Sequence, residues 1–136
     1  MNMEELFLTA QKAAEAAYAP YSRFRVGAAL LAEDGTVFSG ANVENRSYGL
    51  TICAERSALV SAVSRGYRSF RALAIAAPDS ADPVGPCGAC RQVLSEFMPP
   101  QAQVRFGGSG PRRVDTTMGE LLPHDSLHDL KSVKKV

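Results

Sequence analysis

Apolar residues recur at helical spacing from the start of the chain, where Leu6, Ala10, Ala13, Ala14 and Ala17 fall on one stripe. Asn2 with Glu5 three residues later has the form of a capping box. Pro20 disfavours helical geometry at Ala19, so the pattern predicts a first helix ending before Pro20. Two strand-like runs follow, 25–32 and 36–43, separated by Glu33-Asp34-Gly35, the signature of a β-hairpin. Gly27 inside the first run marks a bulge or a close approach by another backbone. From Cys53 the period turns helical again through Ala54, Ala58, Leu59, Ala62 and Val63, with Gly66 as a stop. Residues 71–77 form a short apolar run that reads as a buried strand. The segment 78–86 carries Pro78, Pro83 and Pro86 and is a loop. A second helix is expected from Gly88 to Phe97, ended by Pro99-Pro100. Gln103 to Phe106 is a further strand, 107–111 a loop, and Met118 to Leu122 a single helical turn before Pro123. The order α, β, β, α, β, α, β predicts an α/β fold: a mixed sheet with helices over both faces. No internal repeat or low-complexity segment interrupts it.

The chain of 136 residues, 46% of them hydrophobic, fits one domain with a proper core. A net charge of +1 argues against a nucleic-acid-binding surface. The local exception is Lys131, Lys134 and Lys135, read as a solvated, flexible tail over about 127–136. No apolar run approaches the ~18 residues of a membrane span. The first residues carry Glu4 and Glu5 where a secretory signal would be basic and then apolar. A cytoplasmic protein, without membrane or nucleic-acid partners, is the expectation. Three cysteines, an odd number, suit metal or catalytic use in a reducing compartment better than a disulfide framework.

All three cysteines lie in two motifs, Cys53-Ala54-Glu55 and Pro86-Cys87-Gly88-Ala89-Cys90, each at the expected start of a helix. Cys87 and Cys90, three apart, face the same side of a helical turn and can grip one ion. A helix N-terminus favours thiolates, and Cys53 supplies a third from the other helix. Three protein ligands leave the fourth position of a zinc tetrahedron open to water, the pattern of a catalytic site. Glu55 is then placed to reach that water without ligating, as a proton carrier worth about 10²–10⁴-fold. Two other readings stand beside this one. A lone Cys-x-x-Cys can be a redox pair. His124 or His128 could also close a structural Cys₃His cage.

At these motifs the sequence resembles the zinc-dependent deaminases, and in particular the small homotetrameric cytidine deaminases. The likeness extends to 21–30 (Tyr-Ser-Arg-Phe-Arg-Val-Gly-Ala-Ala-Leu), to 40–45 (Gly-Ala-Asn-Val-Glu-Asn) and to 47–56 (Ser-Tyr-Gly-Leu-Thr-Ile-Cys-Ala-Glu-Arg), covering roughly residues 5 to 123. The resemblance implies a three-layer α/β/α fold with a mixed five-stranded sheet, and one Zn²⁺ per chain on Cys53, Cys87 and Cys90. It implies hydrolytic attack at C4 of cytidine or deoxycytidine, with Glu55 shuttling protons and ammonia released, in pyrimidine salvage. By the same likeness Phe24 and Ala54 contact the nucleoside, Asn42 and Glu44 bond the sugar hydroxyls, and Arg56 donates to the thiolates, with Arg91 second in that task. It also implies a homotetramer whose sites are completed across subunits.

One departure stands out. After Leu121-Leu122-Pro123 the family has a phenylalanine that closes over the base bound in a neighbouring subunit, and this chain has His124-Asp125-Ser126-Leu127. Either Leu127 substitutes for it or the lid is absent. The departure keeps open a deaminase of a modified nucleoside such as blasticidin S. A polynucleotide-editing enzyme is disfavoured, because no basic, aromatic-lined groove is visible. A non-catalytic zinc module is the rival from another class.

Overall fold

The computed structural model describes residues 1–125. His128, Ser126, Leu127 and the lysine tail lie outside them. Helix α1 spans Met3–Ala13, and Asn2 caps it by accepting the Glu5 N–H at 2.8 Å. The chain then tightens into a 3₁₀ turn, Ala14–Ala16, so the helix ends earlier than Pro20 required. Strands β1 (Gly27–Ala32) and β2 (Val37–Ala41) form the expected hairpin. Helix α2 (Ala54–Ser64) stops just before Gly66. Strand β3 (Phe70–Ala76), helix α3 (Gly88–Ser95) and strand β4 (Gln103–Gly107) follow within a residue or two of expectation. Strand β5 (Arg113–Thr117), which the hydrophobic pattern did not reveal, precedes a one-turn helix α4 (Met118–Leu121).

The five strands make one mixed sheet in the order β2-β1-β3-β4-β5. Only β3 and β4 pair in parallel; the other neighbours are antiparallel. Alternation along the strands divides the core in two. Ala28, Leu30, Leu73, Ile75 and Val104 face α2 and α3. Ala29, Leu31, Ala72, Ala74 and Ala76 face Leu6, Phe7 and Ala10 of α1. Helices therefore cover both faces, giving the three-layer α/β/α arrangement with its five-stranded sheet.

Small residues let both helices sit close to the sheet. A methyl group at Gly27 would lie 1.9 Å from the Ala10 carbonyl oxygen, and one at Gly40 would lie 2.5 Å from the Ala58 nitrogen. Gly27 thus marks a close approach by α1; the irregularity of β1 lies instead at Leu31/Ala32. Because the obstructing atoms are backbone, Gly27→Ala is expected to cost on the order of 2–3 kcal/mol. Gly49→Ala, with nothing within 4 Å, should change little. Urea denaturation of both variants checks the contrast, and equal stabilities would contradict it.

Candidate metal and nucleoside site

The N-termini of α2 and α3 meet beyond the carboxyl end of β3. Cys53 is the N-cap of α2 and Cys87 the N-cap of α3, both in extended conformation, and neither side chain caps its own helix. Their carbonyls begin the helices instead, accepting the Ser57 and Arg91 N–H groups at 3.0 Å each. This frees the sulfurs to turn toward each other. Cys53 Sγ lies 4.0 Å from Cys87 Sγ, and Cys87 Sγ lies 3.5 Å from that of Cys90, a buried residue in the first turn of α3. All three sulfurs fall within 4.8 Å of one another.

These separations fit zinc. Four ligands at about 2.3 Å in a tetrahedron put sulfurs about 3.8 Å apart. Among the described residues the group contains cysteines alone. His124 is exposed and is not part of it, so it does not complete a Cys₃His cage; His128 is not among the described residues. A simple redox pair is also a poor description, because the third sulfur stands only 0.5 Å farther from Cys87 than Cys90 does (4.0 against 3.5 Å).

Electrostatics favour a first negative charge on Cys53. Its thiol is lowered to about 5, chiefly by a hydrogen bond with Cys90, with further help from the Arg56 hydrogen bond and charge against the effect of burial. Cys90 moves the opposite way through that same bond to Cys53, its burial and the nearby charges of Glu55 and Cys53. Arg56 Nη2 donates to Cys53 Sγ at 3.3 Å, the contact expected of it. Arg91 is used differently: its Nε donates to the Pro86 carbonyl at 2.9 Å and its Nη1 to that of Leu121 at 3.2 Å. It braces the backbone just ahead of Cys87.

Beside the sulfurs lies a cavity of about 170 Å³ lined by Val26, Asn42, Thr51, Cys53, Ala54, Glu55, Ile75, Val84, Gly85 and Cys87. Glu55, in the first turn of α2, is only 4% exposed. Burial first, then the Cys53 charge, raises its carboxyl above the ordinary range. A larger depression of about 630 Å³ at the opposite end of the sheet is lined by Met1, Met3, Glu33, Arg71 and Gln101, among others. Among the described residues the three-cysteine group borders the smaller cavity, through Cys53 and Cys87.

Phe24 and Glu44 do not line that cavity. The Phe24 carbonyl accepts from Asn42 Nδ2 at 2.9 Å, while Asn42 Oδ1 accepts the Val26 N–H at 2.9 Å. Glu44, 6% exposed, accepts from the Tyr21 and Ser22 N–H groups at 3.0 and 3.2 Å and from the Ser22 hydroxyl. These bonds hold its carboxyl below the usual range, the Ser22 hydroxyl contributing most. Both side chains thus buttress the 21–26 segment, and each keeps spare capacity, an N–H on Asn42 and a lone pair on Glu44. Val26, Thr51, Ile75, Val84 and Gly85 were not expected at the site. Val26, Ile75, Val84 and Gly85 carry no polar side chain, whereas Thr51 brings a buried hydroxyl that has no hydrogen-bond partner among the described residues.

Comparison with known proteins agrees with this geometry. Residues 1–105 match the family profile described as the cytidine and deoxycytidylate deaminase zinc-binding region. The chain belongs to that family. A cytidine deaminase from Sporosarcina psychrophila is 52% identical over 123 residues, 90% of each chain. The crystal structure of a Burkholderia pseudomallei cytidine deaminase superposes with a TM-score of 0.87 at 48% identity, covering 91% of this chain and 98% of that one. A blasticidin-S deaminase from Bacillus cereus is 32% identical over 109 residues, 75% of this chain and 76% of its own. Family membership at this coverage makes the protein a zinc-dependent hydrolytic deaminase.

Purified Cys53→Ala and Cys87→Ala variants should emerge without zinc, whereas the double variant His124→Ala/His128→Ala should retain the wild-type content by elemental mass spectrometry. Zinc lost with the histidines would mean a closed cage. Arg56→Gln is expected to weaken zinc by about 10–100-fold in chelator competition, because the partner that offsets thiolate charge is gone.

Proposed function

We propose that the protein converts cytidine and deoxycytidine to uridine and deoxyuridine with release of ammonia. The observation that carries this reading is that Glu55 and Asn42 share one cavity with Cys53 and Cys87. Cys53, Cys87 and Cys90 would hold one zinc per chain, which would lower the pKa of a water toward neutrality and so supply the nucleophile. Glu55 takes the first proton of the attacking water and gives it to N3 as the C4–O bond forms, then takes the second from the new C4 hydroxyl and gives it to the amine, so that the C4–N bond breaks, C4=O forms and ammonia leaves. Burial suits that task, since a carboxyl raised above its usual range exchanges protons more readily near neutrality. Val26, Ile75 and Val84 give the cavity apolar walls that keep bulk water from the ring. The Ala54 backbone borders the base, and Phe24 stacks against it once the nucleoside is seated. The spare groups of Asn42 and Glu44 bond the sugar hydroxyls, and a bare base that leaves them unpaired is rejected.

The working enzyme is a homotetramer in this reading. Exposed Tyr18, Tyr21, Val43, Tyr48, Leu50 and Ile52 support it. The bridges Tyr18–Val43 and Val43–Ile52 join three of them, and the Tyr21 and Tyr48 rings meet edge-on at 6.2 Å. Exposed apolar side chains gathered in this way mark an interface. The cavity of about 170 Å³ in one chain is also smaller than the roughly 300–1,000 Å³ of typical small-molecule sites. A neighbouring subunit supplies the missing wall. Free thiols at the metal site suit a reducing compartment, consistent with cytoplasmic pyrimidine salvage.

A second reading, deamination of a modified nucleoside such as blasticidin S, rests on His124-Asp125 standing where the family has an aromatic lid. Ammonia release from the zinc-loaded protein separates the two. Cytidine and deoxycytidine should react, cytosine should not, and Glu55→Gln should lose about 10²–10⁴-fold. Silence on all three with zinc retained, together with turnover of blasticidin S, would overturn the cytidine reading.

A further inference from the structure

The segment 21–26 that precedes β1 is anchored at three points, of which the two already described, Glu44 and Asn42, come from the end of β2. The third comes from the loop that continues the neighbouring strand β3. Asp79, in the loop after β3, accepts the Arg25 backbone N–H at 2.8 Å and grips its guanidinium through Nε at 3.0 Å and Nη2 at 2.7 Å. One carboxylate thus fixes both the backbone and the side chain of Arg25. Bidentate pairing gives it directional control that a point charge lacks.

Two features make this pair more than a surface ion pair. First, Asp79 belongs to the same loop as Val84 and Gly85, which line the cavity, and that loop runs directly into Cys87. Arg25 stands between Phe24 and Val26, the latter also lining the cavity. The pair therefore ties these two walls together through side-chain hydrogen bonds. Second, Arg23 has φ 59, a left-handed conformation that a non-glycine residue keeps only when its surroundings impose it. Its N–H donates to the Ala19 carbonyl at 2.9 Å. The restraint comes from Glu44 on the N-terminal side, through Tyr21 and Ser22, and from Asp79 on the C-terminal side, through Arg25.

We infer that Arg25 and Asp79 are positioning residues that set the spacing between the 24–26 and 79–87 walls, and so hold Phe24 and Val26 at the distance a bound nucleoside needs. The inference rests on the nucleoside-deaminase reading of the site. Neither residue touches the reacting atoms, so releasing the pair should weaken substrate binding while leaving the chemical step intact.

The test uses the zinc-loaded protein with Asp79→Ala, Arg25→Gln and the double variant. Each single change should raise KM for cytidine by about tenfold or more with kcat within about twofold, and the double variant should be no worse than the worse single, the mark of a coupled pair. A general loss of folding would instead lower kcat and zinc content together, and that result, or an unchanged KM, would overturn the inference. Limited trypsin digestion supplies a readout independent of substrate. Asp79→Ala should speed cleavage after Arg23, which is exposed in the strained turn. If the wild-type protein leaves cytidine untouched, the substrate reading fails; faster cleavage still supports the wall-spacing role, and unchanged cleavage overturns it.

Discussion

Three sulfur atoms held within 4.8 Å of one another are the constraint on which the rest of the structure turns. Cys53 and Cys87 stand 34 positions apart in the chain. Bringing them together requires two helices to start at the same place, on the same face of the sheet. Strands β1 and β3 meet that need: they place the ends of 24–26 and of 77–87 side by side, and α2 and α3 pack next to each other over Leu30, Leu73 and Ile75. The helix N-termini then contribute their partial positive charge where thiolate charge gathers. Arg56 adds a full one, and Glu55, one residue earlier on α2, is buried beside the same cluster.

Packing explains how the site can be so compact in a small protein. The α2 stripe is mostly alanine, and Gly40 allows its backbone to come within contact of β2. On the other face, Ala72, Ala74 and Ala76 with Gly27 make the same allowance for α1. The larger side chains, Leu30, Leu73, Ile75 and Leu94, fill the space between sheet and helices on the catalytic side. Small residues therefore set how low each helix sits, and that height decides whether the sulfurs meet.

Much of this was legible in the residues, and the gaps have physical causes. The cysteine spacing and the adjacent glutamate carry chemistry that few other functions require, so the metal site could be read directly. The hairpin and the α2 stop could be read from Glu33-Asp34-Gly35 and Gly66 for similar reasons. Strand β5 was invisible as a pattern because Arg113, Asp115, Thr116 and Thr117 sit at a sheet edge and need no alternating apolar face. The early end of α1 was hidden because Ala13, Ala14 and Ala17 continue the helical spacing and alanine is the best helix former. The Arg25–Asp79 link joins residues 54 positions apart, and no local pattern announces such a pair. Arg91 was only the second candidate for the thiolates, and its guanidinium goes instead to the Pro86 and Leu121 carbonyls.

The central claim is an open zinc site of three sulfurs, and X-ray absorption at the zinc edge of the loaded wild-type protein tests it most directly. The account predicts three sulfur scatterers at about 2.3 Å and one light atom at about 2.0 Å, without the outer-shell signature of an imidazole ring. Four heavy scatterers, or three with a clear imidazole pattern, would show a closed structural site and contradict the account.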